Sequence, residues 1–142
     1  MSIVHTEVTL KNMMDVGHAK QGIMKADEIR QMTTQALVDT GAWTMVINEE
    51  TRTKLGLLDQ GYEEGTLADG QKGEYPLAGP LEVWWKNRRM TCDALVIPDA
   101  PDILLGALVL EHMDLTINPQ AEAEGFSSEL VGVHGDKEMH RV

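Results

Sequence analysis

The chain has 142 residues, 42% of them apolar and 25% charged, which is the composition of one globular domain with one hydrophobic core. Its 12 Lys+Arg against 23 Asp+Glu give a formal charge of −11. That balance argues against nucleic acid or an anionic membrane as the main partner, because both attract a concentrated positive surface. A single cysteine, Cys92, excludes an intramolecular disulfide framework and a cysteine-rich zinc site.

Ile3 to Lys11 carries β-branched residues in loose alternation and reads as a strand. Asn12 to Asp27, with Met13-Met14, Gly17 and Gly22, reads as a long connection with room for a helical turn. Ile29 to Val38 is a second strand. It ends in Ala36-Leu37-Val38, apolar on both faces and therefore expected to be fully buried. The turn Asp39-Thr40-Gly41 follows. A short helix comes next: Asn48 suits its N-cap, Glu49 and Glu50 its first turn, Lys54 its last turn and Gly56 its C′ position. Gly65 to Leu77 reads as a hairpin with Asp69-Gly70 at the tip, since that pair tolerates the positive φ of a tight turn. A second hairpin pairs Leu81 to Trp85 with Met90 to Ile97 across Lys86-Asn87-Arg88, whose charges, with Arg89, read as a solvated turn. Pro98 and Pro101 then break the chain. Ile103-Leu104-Leu105 is another buried run, stopped by Gly106, and Ala107 to His112 can make about two helical turns at most. Leu115-Thr116-Ile117 is the last strand, closed by Pro119. From these elements we expect a mostly β domain over residues 1–119. Residues 120–142, rich in Glu, Gly and Ser, read as an acidic, partly disordered tail with no assigned role.

The chemistry concentrates at Asp39-Thr40-Gly41-Ala42. A carboxylate at the mouth of a buried strand sits where the dielectric is low and its acidity can be tuned. Thr40 adds a hydroxyl that donates and accepts, and Gly41 lets the backbone turn sharply and approach another group. Held geometry, partial desolvation and room for water are what a catalytic carboxylate needs.

Ala36-Leu37-Val38-Asp39-Thr40-Gly41-Ala42 resembles the active-site motif of the retroviral-type, or retropepsin-like, aspartic peptidases. Asp-Thr-Gly alone is a common turn tripeptide, but the likeness continues through Met45-Val46-Ile47. It then includes a glycine-bearing hairpin at the position of the family's flap (Gly65 to Gly73) and a second long hairpin. Ile103-Leu104-Leu105-Gly106 stands before a short helix, and a final strand lies at Leu115 to Asn118. In order and spacing it covers Gln31 to Pro119, and Leu55-Gly56-Leu57 with Leu67-Ala68-Asp69-Gly70 looks most like the bacterial, cellular members.

The resemblance implies an all-β, closed, single-lobe acid-protease fold with a flap hairpin and one or two short helices, and the activity of an aspartic endopeptidase. It implies Asp39 as the catalytic residue and Thr40, Gly41 and Ala42 as its supporting loop. Leu67, Ala68, Asp69, Gly70 and Gln71 would form the flap over the substrate, and Leu104, Leu105 and Gly106 a structural element. Neither a cofactor nor a metal is implied. Such chemistry uses two aspartates sharing one proton across a bound water. This sequence has one Asp-Thr-Gly, no Asp-Ser-Gly and one Ile-Leu-Leu-Gly, so the expected active species is a homodimer acting on a peptide or unfolded protein. The alternative is a non-catalytic dimeric peptide-binding or scaffold module on the same fold.

Trp43 departs from the family's pattern, in which that position is usually smaller or polar. It reads as a core or interface side chain, or otherwise as one that narrows the cleft. Cys92 alternates with Met90, Ala94 and Val96 and reads as core, while adjacent Trp84 and Trp85 must face opposite sides of a strand. His5, His18, His112, His134 and His140 have no metal-ligand spacing. With no basic n-region, apolar h-region or membrane-length run, the expected location is the cytoplasm.

Overall fold

Alternation of apolar and polar residues makes β1 (Val4–Asn12) and β2 (Gln31–Val38) an antiparallel pair, in register from Val4↔Val38 to Lys11↔Gln31. The computed structural model describes residues 4–66, 70, 72–117 and 130–132. Five further strands complete the main sheet: β3 (Val46–Ile47), β4 (Leu58–Thr66), β5 (Lys72–Trp85), β6 (Arg88–Val96) and β7 (Ile103–Leu105). Their order is β1-β2-β7-β3-β6-β5-β4, and β1 also pairs with β5. Six strands therefore close into a barrel, leaving β4 on its rim. Closure removes the open edges that a flat sheet of these strands would expose. The interior is aliphatic: Val8 and Leu10 of β1, Leu81 and Val83 of β5, and Ala94 and Val96 of β6 are fully buried in one cluster.

The two apolar runs singled out in the sequence lie side by side. β2 and β7 are parallel, with Ala36↔Ile103, Leu37↔Leu104 and Val38↔Leu105 in register. Ala36, Val38, Ile103 and Leu105 are buried, whereas Leu37 and Leu104 are only half-buried, because the opposite face of these strands is not completely covered. β3 is wedged between β7 and β6, pairing through Val46 with Leu104 on one side and Leu95 on the other.

Among the described residues, three short helices decorate the barrel, α1 (Met13–Lys20), α2 (Glu49–Leu55) and α3 (Ala107–Met113), together with a 3-10 turn at Ala26–Glu28. The α2 signals act as expected: Asn48 Oδ1 accepts from Thr51 N at 2.8 Å, and Gly56 ends the helix at φ +61°. The connection after β1 is more ordered than expected. Asn12 Oδ1 accepts from Asp15 N at 3.1 Å and starts α1, while its Nδ2 donates to Leu55 O at 2.9 Å. That tertiary bond fixes the cap, and the helix itself buries only Asp15 and Val16, too little to leave a periodic signal.

The two expected hairpins share one long strand, β5, whose register with β6 shifts between Ala78 and Leu81. Gly70 has φ +85°, while Leu67, Ala68, Asp69 and Gln71 lie outside the described residues. Trp85 is buried and Trp84 half-buried on the other side, with its Nε1 donating to Glu82 Oε1 at 2.7 Å. One reading of the sequence is corrected. Arg88 is not part of a solvated turn: it is buried, and its Nη1 donates to Met113 O at 2.6 Å and Asp114 O at 2.8 Å, at the end of α3. Part of the segment after position 119 is ordered. β9 (Leu130–Gly132) pairs antiparallel with β8 (Leu115–Ile117). Backbone pairing needs no apolar periodicity, and Gly132 fits because a Cβ there would come within 2.3 Å of Arg88 Nη2.

Candidate active site

The parallel strands β2 and β7 deliver two glycine-bearing turns to the same place. Asp39 N donates to Leu105 O at 3.0 Å, continuing the β2–β7 pairing by one residue, and Ala42 N donates to Asp39 O at 3.1 Å to close the turn. Gly41 N donates to Asp39 Oδ1 at 2.9 Å. A Cβ on Gly41 would stand 3.1 Å from that same oxygen, so the glycine permits the close approach. Asp39 is half-buried, and its second carboxylate oxygen makes no hydrogen bond among the described residues. Thr40 is exposed.

The loop is held from behind by α3. Ala107 N donates to Ala42 O at 2.8 Å and Leu108 N to Trp43 O at 2.9 Å, so the first-turn amides of the helix, which lack intrahelical partners, are satisfied by the loop. Gly106 makes this contact possible. A Cβ there would lie 2.3 Å from Thr44 O and 2.8 Å from Ala42 O, both backbone atoms. The sequence element Leu104-Leu105-Gly106 thus has three distinct places: Leu104 on a cleft wall, Leu105 in the core and Gly106 under the Asp39 loop.

Asp39 opens onto a cleft of about 280 Å³. Gly41, Ala42, Trp43 and Thr44 form one side, and Val46, Leu95, Ile97 and Leu104 give it an apolar floor. Glu63, Glu64, Gly65 and Tyr75, from the base of the β4–β5 hairpin, form the other wall. Gly65 and Gly73 face each other in that hairpin, and the Tyr75 ring fills the space they leave. A Cβ on Gly65 would come within 3.2 Å of both the Tyr75 ring and Leu95 Cδ1. Trp43 is not a core side chain. With its carbonyl tied to α3, its indole turns outward, is 65% exposed and lines the cleft. Tyr75 and Glu63 were missed from the sequence. The signal was present in the period-2 pattern of Glu63, Gly65, Gly73 and Tyr75, which the hairpin brings to one face.

Cys92 lies apart from the cleft. Burial, with a smaller contribution from the Asp93 charge, pushes its thiol up to about 12, away from the reactive thiolate, and the side chain packs against the core. Among the described residues no three His, Cys, Asp or Glu side chains converge in a metal-binding arrangement, and no helix is long and apolar enough to cross a membrane.

A mostly β chain with a closed six-strand barrel and short helices is consistent with the all-β, single-lobe aspartic protease fold. The sequence matches the profile of an aspartyl protease family, related to the retropepsin-like proteases, over residues 27–109, and the chain belongs to that family. No match to a curated protein was found. The matched span contains the Asp39 loop, the hairpin base and Gly106. Family membership supports a peptidase, a hydrolase acting on peptides.

Proposed function

We propose that the protein is an aspartic endopeptidase whose active species is a homodimer, with Asp39 of each copy meeting at the two-fold axis. The observation that carries this reading is the state of the Asp39 carboxylate. One oxygen is fixed by Gly41 N at 2.9 Å, and the other, without a hydrogen bond among the described residues, lies at the mouth of a cleft with an apolar floor. Two such groups, brought together, have their free oxygens available to a shared water. One ionised carboxylate takes a proton from the water as it attacks the scissile carbonyl, and the other, protonated, donates to the carbonyl oxygen. Like charges this close do not both ionise cheaply, so the pair titrates in two coupled steps and gives a bell-shaped pH–rate profile. Thr40 would brace the two loops across the axis, Gly41 and Ala42 would support the carboxylate, and the segment around Leu67, Ala68, Asp69, Gly70 and Gln71 would close over an extended peptide.

The test is cleavage of an unfolded protein from acidic to neutral pH. Asp39→Asn should lower turnover by about 10³-fold or more, since it removes the acid–base pair. Unchanged cleavage by that variant rejects the assignment. A second reading, a non-catalytic dimeric peptide-binding module, draws on the exposed Trp43 in the cleft. Tight peptide binding without turnover at any pH would select it.

A further inference from the structure

We infer that the cleft selects peptides bearing a Lys or Arg side chain, and that Glu63 and Trp43 are the residues that select it. The inference rests on the reading of this cleft as the peptide site and names its substrate class. In the β4–β5 hairpin, Glu63 stands opposite Tyr75 and Gly65 opposite Gly73. Alternation puts these four residues on one face, and that face is the one turned to the cleft, because Gly65 lies against Leu95. Glu64, Glu74 and Lys72 belong to the opposite face, so the hairpin's lysine does not stand on Glu63's side. Glu63 is exposed and makes no ion pair with any described residue. Among the described residues the cleft lining holds the carboxylates of Asp39 and Glu63, with Glu64 bordering it from the hairpin's other face, and no Lys, Arg or His. The charge of the described lining is therefore of one sign.

Trp43 supplies an independent element. A large ring that is 65% exposed at a cleft lip has left its apolar area in water, and a substrate that covers it recovers that area. A Lys or Arg side chain meets both requirements at once. Its aliphatic stem covers the indole and the apolar floor, its cation is attracted to the ring face, and its head reaches a carboxylate. An acidic side chain in the same position meets Glu63 and Asp39 and is repelled, so discrimination has a repulsive as well as an attractive half.

The test uses three peptides identical except for Lys, Met or Glu at one position, titrated calorimetrically into full-length Asp39→Asn protein, so that affinity is read without turnover. The Lys peptide should bind about 3- to 10-fold more tightly than the Met peptide, and the Glu peptide most weakly. Adding Glu63→Gln should bring the Lys:Met ratio to about one, and Glu63→Lys should invert the order of Lys and Glu. Trp43→Ala should also lower the Lys:Met ratio. Equal binding of the three peptides, no binding of any, or a Lys:Met ratio unchanged in both Glu63 variants overturns the inference. Cleavage of the same peptides by the unsubstituted chain is scored separately. No turnover with a Glu63-dependent Lys preference rejects the peptidase and leaves the selectivity supported; turnover without that preference does the reverse.

Discussion

Two glycines at the Asp39 loop differ in what a methyl group would strike, and the difference sets the expected cost. At Gly106 the added Cβ would meet backbone, Thr44 O at 2.3 Å and Ala42 O at 2.8 Å, neither of which can move without the loop moving. Gly106→Ala should therefore cost about 2–4 kcal/mol in urea unfolding and displace the loop that carries Asp39. At Gly41 the nearest atom is Asp39 Oδ1 at 3.1 Å, a side-chain oxygen with room to rotate. Gly41→Ala should cost about 1 kcal/mol or less, while its effect on cleavage exceeds its effect on stability. Titration makes a further residue-scale prediction at Asp15, which is buried and receives Arg30 Nε at 2.8 Å, Arg30 Nη2 at 3.0 Å and Arg30 N at 3.0 Å. The Arg30 guanidinium holds this carboxyl below the usual aspartate value, outweighing the opposing effect of burial. A folded-state value below the unfolded one gives stability that is complete above about pH 4 and is lost as pH falls through the folded value. Urea midpoints measured across that acid range should fall more steeply for the native chain than for Asp15→Asn.

Helix α3 links the site to the buried Arg88. Its first two amides hold the Asp39 loop, and its last carbonyl, with that of Asp114, accepts from buried Arg88. Cations suit a helix C-terminus, and here the cation is also the seat on which Gly132 of β9 rests. Arg88→Ala removes both hydrogen bonds and a buried side chain, and should cost about 2–4 kcal/mol, read as a lower urea midpoint. Arg88→Lys should recover only part of this, because a single ammonium replaces a planar fork. This linkage was invisible in the sequence for a physical reason. A basic residue beside a hairpin turn is ordinarily solvated, and the carbonyls that bury this one come from residues 113 and 114. Local signals were legible where local chemistry decides, as in the Asn48 cap and Gly56 stop of α2. The tripeptides flanking Asp39 and Gly106 were legible because buried parallel strands need continuous apolar runs. The closure of β1 onto β5, the cap of α1 and the pairing of β9 depend on residues far along the chain. Of the places the sequence left open to Trp43, the core is excluded because the loop's bonds to α3 turn the indole outward, onto the cleft.

Charge governs the molecule as a whole. The chain carries −11, so the proposed homodimer would carry twice that, and like charges of this size would oppose assembly until apolar contact exceeds the repulsion. Salt shortens the reach of that repulsion, from a Debye length of about 14 Å at 0.05 M to about 4 Å at 0.5 M. The dimer dissociation constant measured by sedimentation should therefore fall over this range, and at protein concentrations near that constant the rate of cleavage per chain should rise. Selection of a Lys side chain by Glu63 depends on attraction across a partly open cleft, so the same salt should narrow the Lys:Met preference. The two effects have opposite signs and separate with concentration. When protein is well above the dissociation constant, added salt has no more dimer to form and only the loss of selectivity remains. A chain that stays monomeric at every salt and protein concentration while still cleaving peptide would exclude a shared Asp39 pair, since one chain supplies a single aspartate in an Asp-Thr-Gly loop.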